Sequence, residues 1–161
     1  MSGIDRVGVF VEQWRRERPD LDPSPMAVIG RMRRISDDFT RELIDNYRRF
    51  GLGEGEFDVL CALRRVGVPF ALTQGDIAEH TVVTAGATSK RVDRLEAAGL
   101  VTRHQRTDDA RGRIVELTPE GRALIDEAYP AHLRLESELL SPLDDGERAQ
   151  LEGLLRKLIR G

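Results

Sequence analysis

Short polar and basic side chains recur along one predicted helix, and their chemistry suits contact with a nucleic acid. Ser89 and Lys90 lie on the face opposite Leu95, and Thr84 and Gly86 lie near the start of the helix. Small side chains let a helix approach base edges closely, and a lysine donates to guanine acceptors or to phosphate oxygens. The same residue types occur on ordinary solvated helices, so the interpretation depends on the neighbouring elements.

Basic charge is concentrated in residues 84–113, although the whole chain carries a formal net charge of −3. Seven basic and four acidic residues give this segment a charge of +3, which leaves −6 for the rest of the chain. The basic residues are Lys90, Arg91, Arg94, Arg103, Arg106, Arg111 and Arg113. A local basic surface attracts phosphate whatever the global balance is. A mixed solvated surface is the alternative explanation.

The elements around this helix predict a winged helix-turn-helix. A helix from about Thr84 to Ala98 follows a shorter helix and ends at Gly99, a natural C-cap. Strands are predicted over Leu100–Gln105 and Arg113–Leu117, on either side of a charged turn. In this arrangement the second helix enters a DNA major groove and the β-hairpin grips the backbone beside it.

Further DNA contacts are predicted at the hairpin and at the start of the shorter helix. Arg111 lies at the tip of the turn, and a narrow minor groove attracts arginine. Arg106 and Arg113 are placed to contact phosphates. Thr73 begins the shorter helix with a capping-box-like pattern, and Gln74 follows it, so both can bind phosphate with help from backbone N–H groups.

The remaining sequence predicts a single, mainly α domain of 161 residues with a small β-hairpin wing. The winged helix-turn-helix spans about residues 52–117, and dimerisation helices are predicted over about 4–50 and 118–160. Ser141, with Asp144 three residues later, predicts the start of the last helix. Its apolar stripe consists of Leu151, Leu154, Leu155, Leu158 and Ile159. This stripe needs a partner surface, and a second copy of the chain supplies one in a symmetric homodimer.

Composition and motifs exclude several other classes of protein. No apolar run approaches the length of a membrane span, and the N-terminus lacks the order of a signal peptide, so a cytoplasmic location without a membrane partner is expected. The single cysteine agrees with that compartment. The three histidines lack metal-ligand spacing, and no phosphate loop or nucleophile motif occurs. We therefore expect no enzyme activity, no metal and no cofactor.

Arg91 is an unusual residue on the second helix of the motif. It lies four residues before Leu95 and therefore shares the inward-facing side of the helix. A charge turned inward needs a partner, and Asp58 on the preceding core helix is the natural candidate. Such a pair is either a structural ion pair or part of a site for an anion.

The sequence resembles the multiple antibiotic resistance regulator (MarR) family over nearly its whole length. The resemblance is carried by the run from Arg94 to Arg103, by Asp109-Ala110-Arg111 in the turn, and by Leu117-Thr118-Pro119-Glu120-Gly121. It implies a dimeric winged-helix transcription regulator, usually a repressor that binds a palindromic operator and is released by a small ligand. It also implies that Asp109 orients the guanidinium of Arg111.

A narrower resemblance connects the chain to the urate-responsive, PecS-like branch of that family. The corresponding residues are Trp14 in an extra N-terminal helix, Asp58, Arg91 in the reading helix, and Arg103 at the start of the wing. The resemblance implies a ligand site with Trp14 as a flat lid. The expected effector is a small anion, either urate or a related purine, or a carboxylate or phenolate.

Two alternative functions come from other features of the chain. Cys61 could serve as a redox sensor, but it lies in the apolar run Val59–Leu63 with no basic residue immediately beside it, which is typical of a buried thiol. Winged helices can also act as protein-interaction modules without DNA. Lys90 and Arg111, at the two predicted contact positions, argue against that alternative.

Overall fold

The computed structural model describes residues 5–81, 85–105 and 113–159, without the side chains of residues 85–87. These residues are mostly helical, with one small antiparallel sheet, which confirms the predicted fold class. None of the described helices is both long enough and apolar enough to cross a membrane. The chain divides into two compact units, residues 1–42 and 43–161, which are considered in turn.

The first unit contains helix α1, Arg6–Glu17, and most of helix α2, Ser24–Arg48. Asp5 caps α1 by accepting a hydrogen bond from the Gly8 amide at 2.8 Å, and it also accepts one from the Arg31 guanidinium at 2.8 Å. The Asp5 carboxylate therefore caps the start of α1 and also connects α1 to α2. Gly30 allows the close approach of these helices, because a Cβ there would crowd Val7.

The second unit contains the remaining elements, which include the predicted helix-turn-helix and wing. They are α3 (Glu54–Arg65), β1 (Ala71–Thr73), α4 (Gln74–His80), α5 (Ala85–Ala97), β2 (Val101–Gln105), β3 (Arg113–Leu117), α6 (Pro119–Leu139) and α7 (Asp145–Leu158). The strands lie in the order β1-β3-β2, and both pairings are antiparallel. Strand β1 was not predicted from the sequence, and the expected hairpin is therefore part of a three-stranded sheet.

A continuous apolar core fixes the position of α5 in the second unit. Leu60 and Leu63 from α3, Ile77 from α4, and Val92 and Leu95 from α5 are almost completely buried. Burying a large aliphatic side chain contributes about 1.5–3 kcal/mol relative to exposure. Several such side chains meet where three helices cross, so one face of α5 is held in the core while the opposite face remains at the surface.

Local capping signals were predicted correctly at two helices and wrongly at a third. Thr73 caps α4 in a reciprocal box with Asp76, and Gly99 follows α5 with a φ of 72°. The start of α7 is a correction, because its cap is Asp144 and its reciprocal partner is Glu147, not the predicted pair of Ser141 and Asp144. Glu147 accepts a hydrogen bond from the Asp144 amide at 2.9 Å. Ser141 instead continues the end of α6, with its amide bonded to the Glu138 carbonyl.

Candidate nucleic-acid interface

Helix α5 presents a polar surface next to the core of the second unit. Thr88, Val92 and Leu95 are buried, whereas Ser89 and Lys90 are exposed. Lys90 forms no ion pair with any residue that the structure describes. The predicted buried and exposed sides of the helix are therefore present, and contact of Ser89 and Lys90 with DNA stays a prediction.

Most other charges on α5 are already engaged within the protein. Arg94 donates to Glu56 on α3 at 2.9 Å. Arg103, on strand β2, donates to Asp93 at 2.5 Å and to Glu96 at 3.1 Å. The sequence-based count of seven cations therefore overstates the free basic charge, because Arg94 and Arg103 are neutralised by carboxylates.

The start of α4 offers less to a phosphate than the sequence suggested. The Thr73 hydroxyl accepts from the Asp76 amide at 3.1 Å, and the Thr73 amide donates to the Asp76 carboxylate at 3.3 Å. The Thr73 amide is thus committed to the helix cap, whereas the hydroxyl acts there as an acceptor and keeps its own O–H donor, so a phosphate contact of Thr73 stays a prediction. Gln74 is partly buried at the first position of α4, and its contact with DNA stays a prediction.

The wing is described up to the ends of its two long strands. Arg113 begins β3 with an exposed side chain, opposite Gln105 at the end of β2. Gly86 falls within the first turn of α5. The remaining predicted DNA contacts lie outside the described residues, and they are Thr84, Arg106, Asp109 and Arg111.

Arg91 extends from α5 onto the backbone of α3, at Gly55. A Cβ on Gly55 would overlap the Arg91 guanidinium, so glycine provides the space that the side chain occupies. The Nη1 atom of Arg91 is buried and has no hydrogen-bond partner among the described residues. An unsatisfied charged donor is costly in a protein interior, and it is a ready contact for an anion.

Asp58 lies near Arg91 but does not form the direct ion pair that the sequence analysis expected. No hydrogen bond or ion pair within 4.0 Å joins the two described side chains, although the charge of Arg91 still acts on Asp58. Burial, together with the charge of Glu54, raises the pKa of the Asp58 carboxyl above its ordinary value. The charges of Arg91 and His132 oppose that rise without cancelling it. The Arg91 guanidinium lies against Gly55, and its Nη1 atom is unpaired among the described residues.

The other two residues of the predicted ligand site have different surroundings. Trp14 belongs to the first unit, and about half of its side chain is exposed, at 51%. Arg103 points at α5, where its three acceptors are Asp93, Glu96 and the Ser89 carbonyl, the last at 3.3 Å. Its Nε atom is buried without a partner among the described residues. A ligand contact stays a prediction for both residues.

Three features of the site were not found from the sequence. Gly55 leaves room for Arg91, Glu56 receives Arg94, and the acidic residues of α5 receive Arg103. Spacing shows which residues share a helix face, but it does not show which side chain of another element lies opposite. The position of Arg94 next to Glu56 depends on how α3 crosses α5, which no local pattern encodes.

A helix-turn-helix with an exposed polar reading face, flanked by a β-hairpin, defines a winged-helix DNA-binding protein. Comparison with known proteins identifies the family. Residues 50–112 match the model of the MarR family. The HTH-type transcriptional regulator PecS from Dickeya dadantii (strain 3937) is 38% identical over 158 residues, which cover 98% of this chain and 95% of that protein.

Two solved structures are similar over most of this chain. A single-residue mutant of E. coli MarR complexed with operator DNA has a TM-score of 0.73 and 26% identity, and covers 91% of this chain and 98% of that chain. A structure concerned with the regulation of DNA binding of Bordetella bronchiseptica BpsR by 6-hydroxynicotinic acid has a TM-score of 0.72 and 29% identity, with coverages of 82% and 98%. The protein therefore belongs to the MarR family of winged-helix, DNA-binding transcriptional regulators.

Cys61 provides a direct test of the redox alternative. Burial, reinforced by the negative charge of Asp58, raises the pKa of its thiol to about 12. Because the thiolate is the reactive species, the thiol in the native protein is expected to react slowly with iodoacetamide at about pH 8.5, near the pKa of a free thiol. Urea-unfolded protein is expected to react at the rate of a simple thiol. Equal rates in the two states, measured by mass spectrometry, would support a reactive Cys61.

Proposed function

We propose that the protein binds a pseudo-palindromic operator as a homodimer, represses transcription there, and is released by a small planar anion. The main observation behind this proposal is that α5 carries an exposed polar face and, on another side, an arginine turned towards α3. One face presents Ser89 and Lys90 to the surface, and the same helix turns Arg91, with an unpaired Nη1 atom, towards α3. A ligand that contacts Arg91 therefore acts on the element that reads DNA.

The DNA-binding part of the proposal is supported by the pattern of free charge. Among the described residues of α5 and the wing strands, Arg94 and Arg103 are paired, whereas Lys90 and Arg113 are exposed. Free cations beside a groove bind phosphate by releasing counterions, and paired cations contribute little. The likeness to an operator complex of E. coli MarR supports the same orientation of the reading helix.

The homodimer is supported by apolar surface that this chain leaves uncovered. None of the described residues of α7 is buried. Its exposed apolar side chains are Leu151, Leu154, Leu155 and Leu158, and Ile159 follows the helix. A second copy related by a two-fold axis would cover this stripe. The same symmetry places two reading helices on successive major-groove faces, about 34 Å apart, which accounts for a palindromic operator.

The effector part of the proposal rests on Arg91 and Asp58. The unpaired Nη1 of Arg91 supplies a charge-assisted donor for an anion. Asp58, with its raised pKa, supplies a carboxyl group that becomes protonated more readily than an exposed aspartate. An oxyanion on Arg91 and a polar ring atom near Asp58 match a planar heterocyclic anion, such as urate or another purine, or a carboxylate or phenolate.

The relatives support this choice of ligand class. The BpsR structure concerns control of DNA binding by 6-hydroxynicotinic acid, which is a planar heteroaromatic carboxylic acid. Urate is also planar and anionic, so both molecules offer the same features to an arginine. Coupling requires that the ligand bind the DNA-free form more tightly than the DNA-bound form, and such differences are typically about 1–3 kcal/mol.

Lys90→Gln tests the reading face. The change is expected to weaken binding to an operator duplex by about 1–3 kcal/mol per half-site, because one charged contact is lost. Since a dimer loses two such charges, the slope of log affinity against log salt concentration is expected to become shallower by about 2. Fluorescence anisotropy of labelled duplex at several salt concentrations measures both quantities.

The matched control is Arg94→Gln, which removes the same charge from the same helix at a position already paired with Glu56. It is expected to leave the salt slope unchanged. An unchanged slope for Lys90→Gln as well would show that this face does not contact DNA. Absence of binding by the wild-type protein at any salt concentration would favour the protein-interaction alternative.

Replacing Leu154 and Leu158 together by glutamate tests the dimer. The double substitution would bury four glutamates, two from each copy, in the proposed two-fold interface. Because buried unpaired charges are costly, folded monomers are expected, and sedimentation velocity separates them from dimers. Ala149→Glu is the control, because Ala149 lies on the opposite side of α7 and is also exposed. A dimer that survives the double substitution would show that α7 is not the interface.

Titration with urate and with 6-hydroxynicotinate tests the effector site. Trp14 is the single tryptophan, so its fluorescence tests whether a ligand comes near this side chain. Arg91→Gln is expected to reduce ligand affinity about tenfold or more in calorimetry, because one charge-assisted hydrogen bond is lost. Binding is expected to strengthen as the pH falls through the raised pKa of Asp58, because its protonation removes a charge that repels the anion.

Two variants control the effector experiment. Arg94→Gln removes a charge one turn from Arg91 and is expected to keep the wild-type ligand affinity. Asp58→Asn is expected to bind the anion at least as tightly as the wild type and to lose the pH dependence. If neither compound binds or releases DNA, or if Arg91→Gln binds them as well as the wild type, the effector proposal is wrong.

A further inference from the structure

Arg103 joins the first long strand of the wing to the reading helix through three hydrogen bonds from its two Nη atoms. Its side chain is only 13% exposed. The guanidinium donates to the Asp93 carboxylate at 2.5 Å, to the Glu96 carboxylate at 3.1 Å, and to the Ser89 carbonyl at 3.3 Å. One strand residue therefore contacts three positions of α5.

These three positions form one stripe along the helix. Residues 89, 93 and 96 have the spacing i, i+4 and i+7, which places them above one another on a single face. Arg103 is fixed in turn by the sheet, where it lies opposite the buried Val115 of β3. The planar fork of an arginine presents several N–H donors in fixed directions, whereas the single ammonium of a lysine has no such fork. The contact therefore sets the angle between α5 and the wing strands.

The ion pairs of Arg103 also neutralise two carboxylates that would otherwise repel DNA phosphates. Asp93 and Glu96 lie on the helix that carries Ser89 and Lys90, and their side chains are 56% and 41% exposed. Unpaired carboxylates at the edge of a DNA-reading helix repel the phosphate backbone. Among the residues that the structure describes, Arg103 is the one cation within ion-pair distance of either carboxylate.

We propose that Arg103 is a positioning residue for DNA binding, which neutralises Asp93 and Glu96 and locks α5 to strand β2. In this role it acts through the helix and not by contact with DNA, and the proposal replaces the ligand contact that the family resemblance implied for Arg103. The proposal rests on the DNA-binding class of the protein and is independent of the ligand site at Arg91.

The test is a mutant cycle on the full-length protein, with a duplex selected in vitro for binding to the wild type. Arg103→Gln is made in the wild-type background and in an Asp93→Asn, Glu96→Gln background, where no carboxylates need neutralising. DNA affinity is expected to fall about tenfold or more in the first background, because two carboxylates are released beside phosphates. It is expected to fall no more than about threefold in the second.

A direct phosphate contact by Arg103 gives a different result. It predicts equal losses in the two backgrounds and, with the acidic residues removed, a salt slope that becomes shallower by about 2 per dimer. Either outcome would overturn the proposal. Arg94→Gln serves as the matched control. Because Arg94 pairs with Glu56 and not with Asp93 or Glu96, its replacement should change DNA affinity equally in both backgrounds.

Two further measurements separate positioning from general stability and from ligand binding. Melting curves by circular dichroism confirm that each variant is folded, and Arg103→Lys replaces Arg103→Gln in the cycle if the latter unfolds. The lysine variant is expected to show the same background dependence with a smaller loss. Urate affinity, measured by calorimetry, is expected to be unchanged in the folded variants. A loss of urate affinity without loss of DNA affinity would assign Arg103 to the ligand site instead.

Discussion

Buried apolar side chains anchor helix α5 in the core of the second unit and fix its rotation. Val92 and Leu95 are buried in the core, so the helix cannot rotate without exposing them to water. Exposing either side chain costs about 1.5–3 kcal/mol. This fixed rotation leaves Ser89 and Lys90 at the surface, and it forces Arg91 inward onto α3. The reading face and the inward arginine are therefore two consequences of one packing arrangement.

Interactions of a few kcal/mol at an inward charge are large enough to shift the position of a helix that reads DNA. Domains are stable by only about 5–15 kcal/mol, and typical coupling energies between sites are about 1–3 kcal/mol. In the proposed function, an anion bound at the Nη1 atom of Arg91 would act on α5 with an energy of this size. Two ion pairs connect α5 to its neighbours, Arg94 with Glu56 on α3 and Asp93 with Arg103 on β2. Because these contacts hold the helix at two points, a force on Arg91 would move the helix as a rigid body.

The sequence specified the local parts of this arrangement and not the crossings between elements. The inward position of Arg91 follows from its spacing to a buried leucine, but its contact with Gly55 depends on how α3 meets α5, which spacing does not show. Strand β1 has only three residues, and its existence depends on pairing with β3. At α7, Ser141 and Glu147 compete to form a box with Asp144, and spacing alone does not decide between them.

Site-specific photo-crosslinking tests most directly whether α5 reads DNA. A photoreactive amino acid is placed at Ser89 in one protein and at Glu127, an exposed position on α6, in another. Both are irradiated with a duplex selected for binding to the wild type, and the crosslinked nucleotides are mapped. Crosslinks are expected from position 89 to bases at the centre of each half-site, and none from position 127. Retained binding without crosslinks from position 89 would show that α5 does not read DNA.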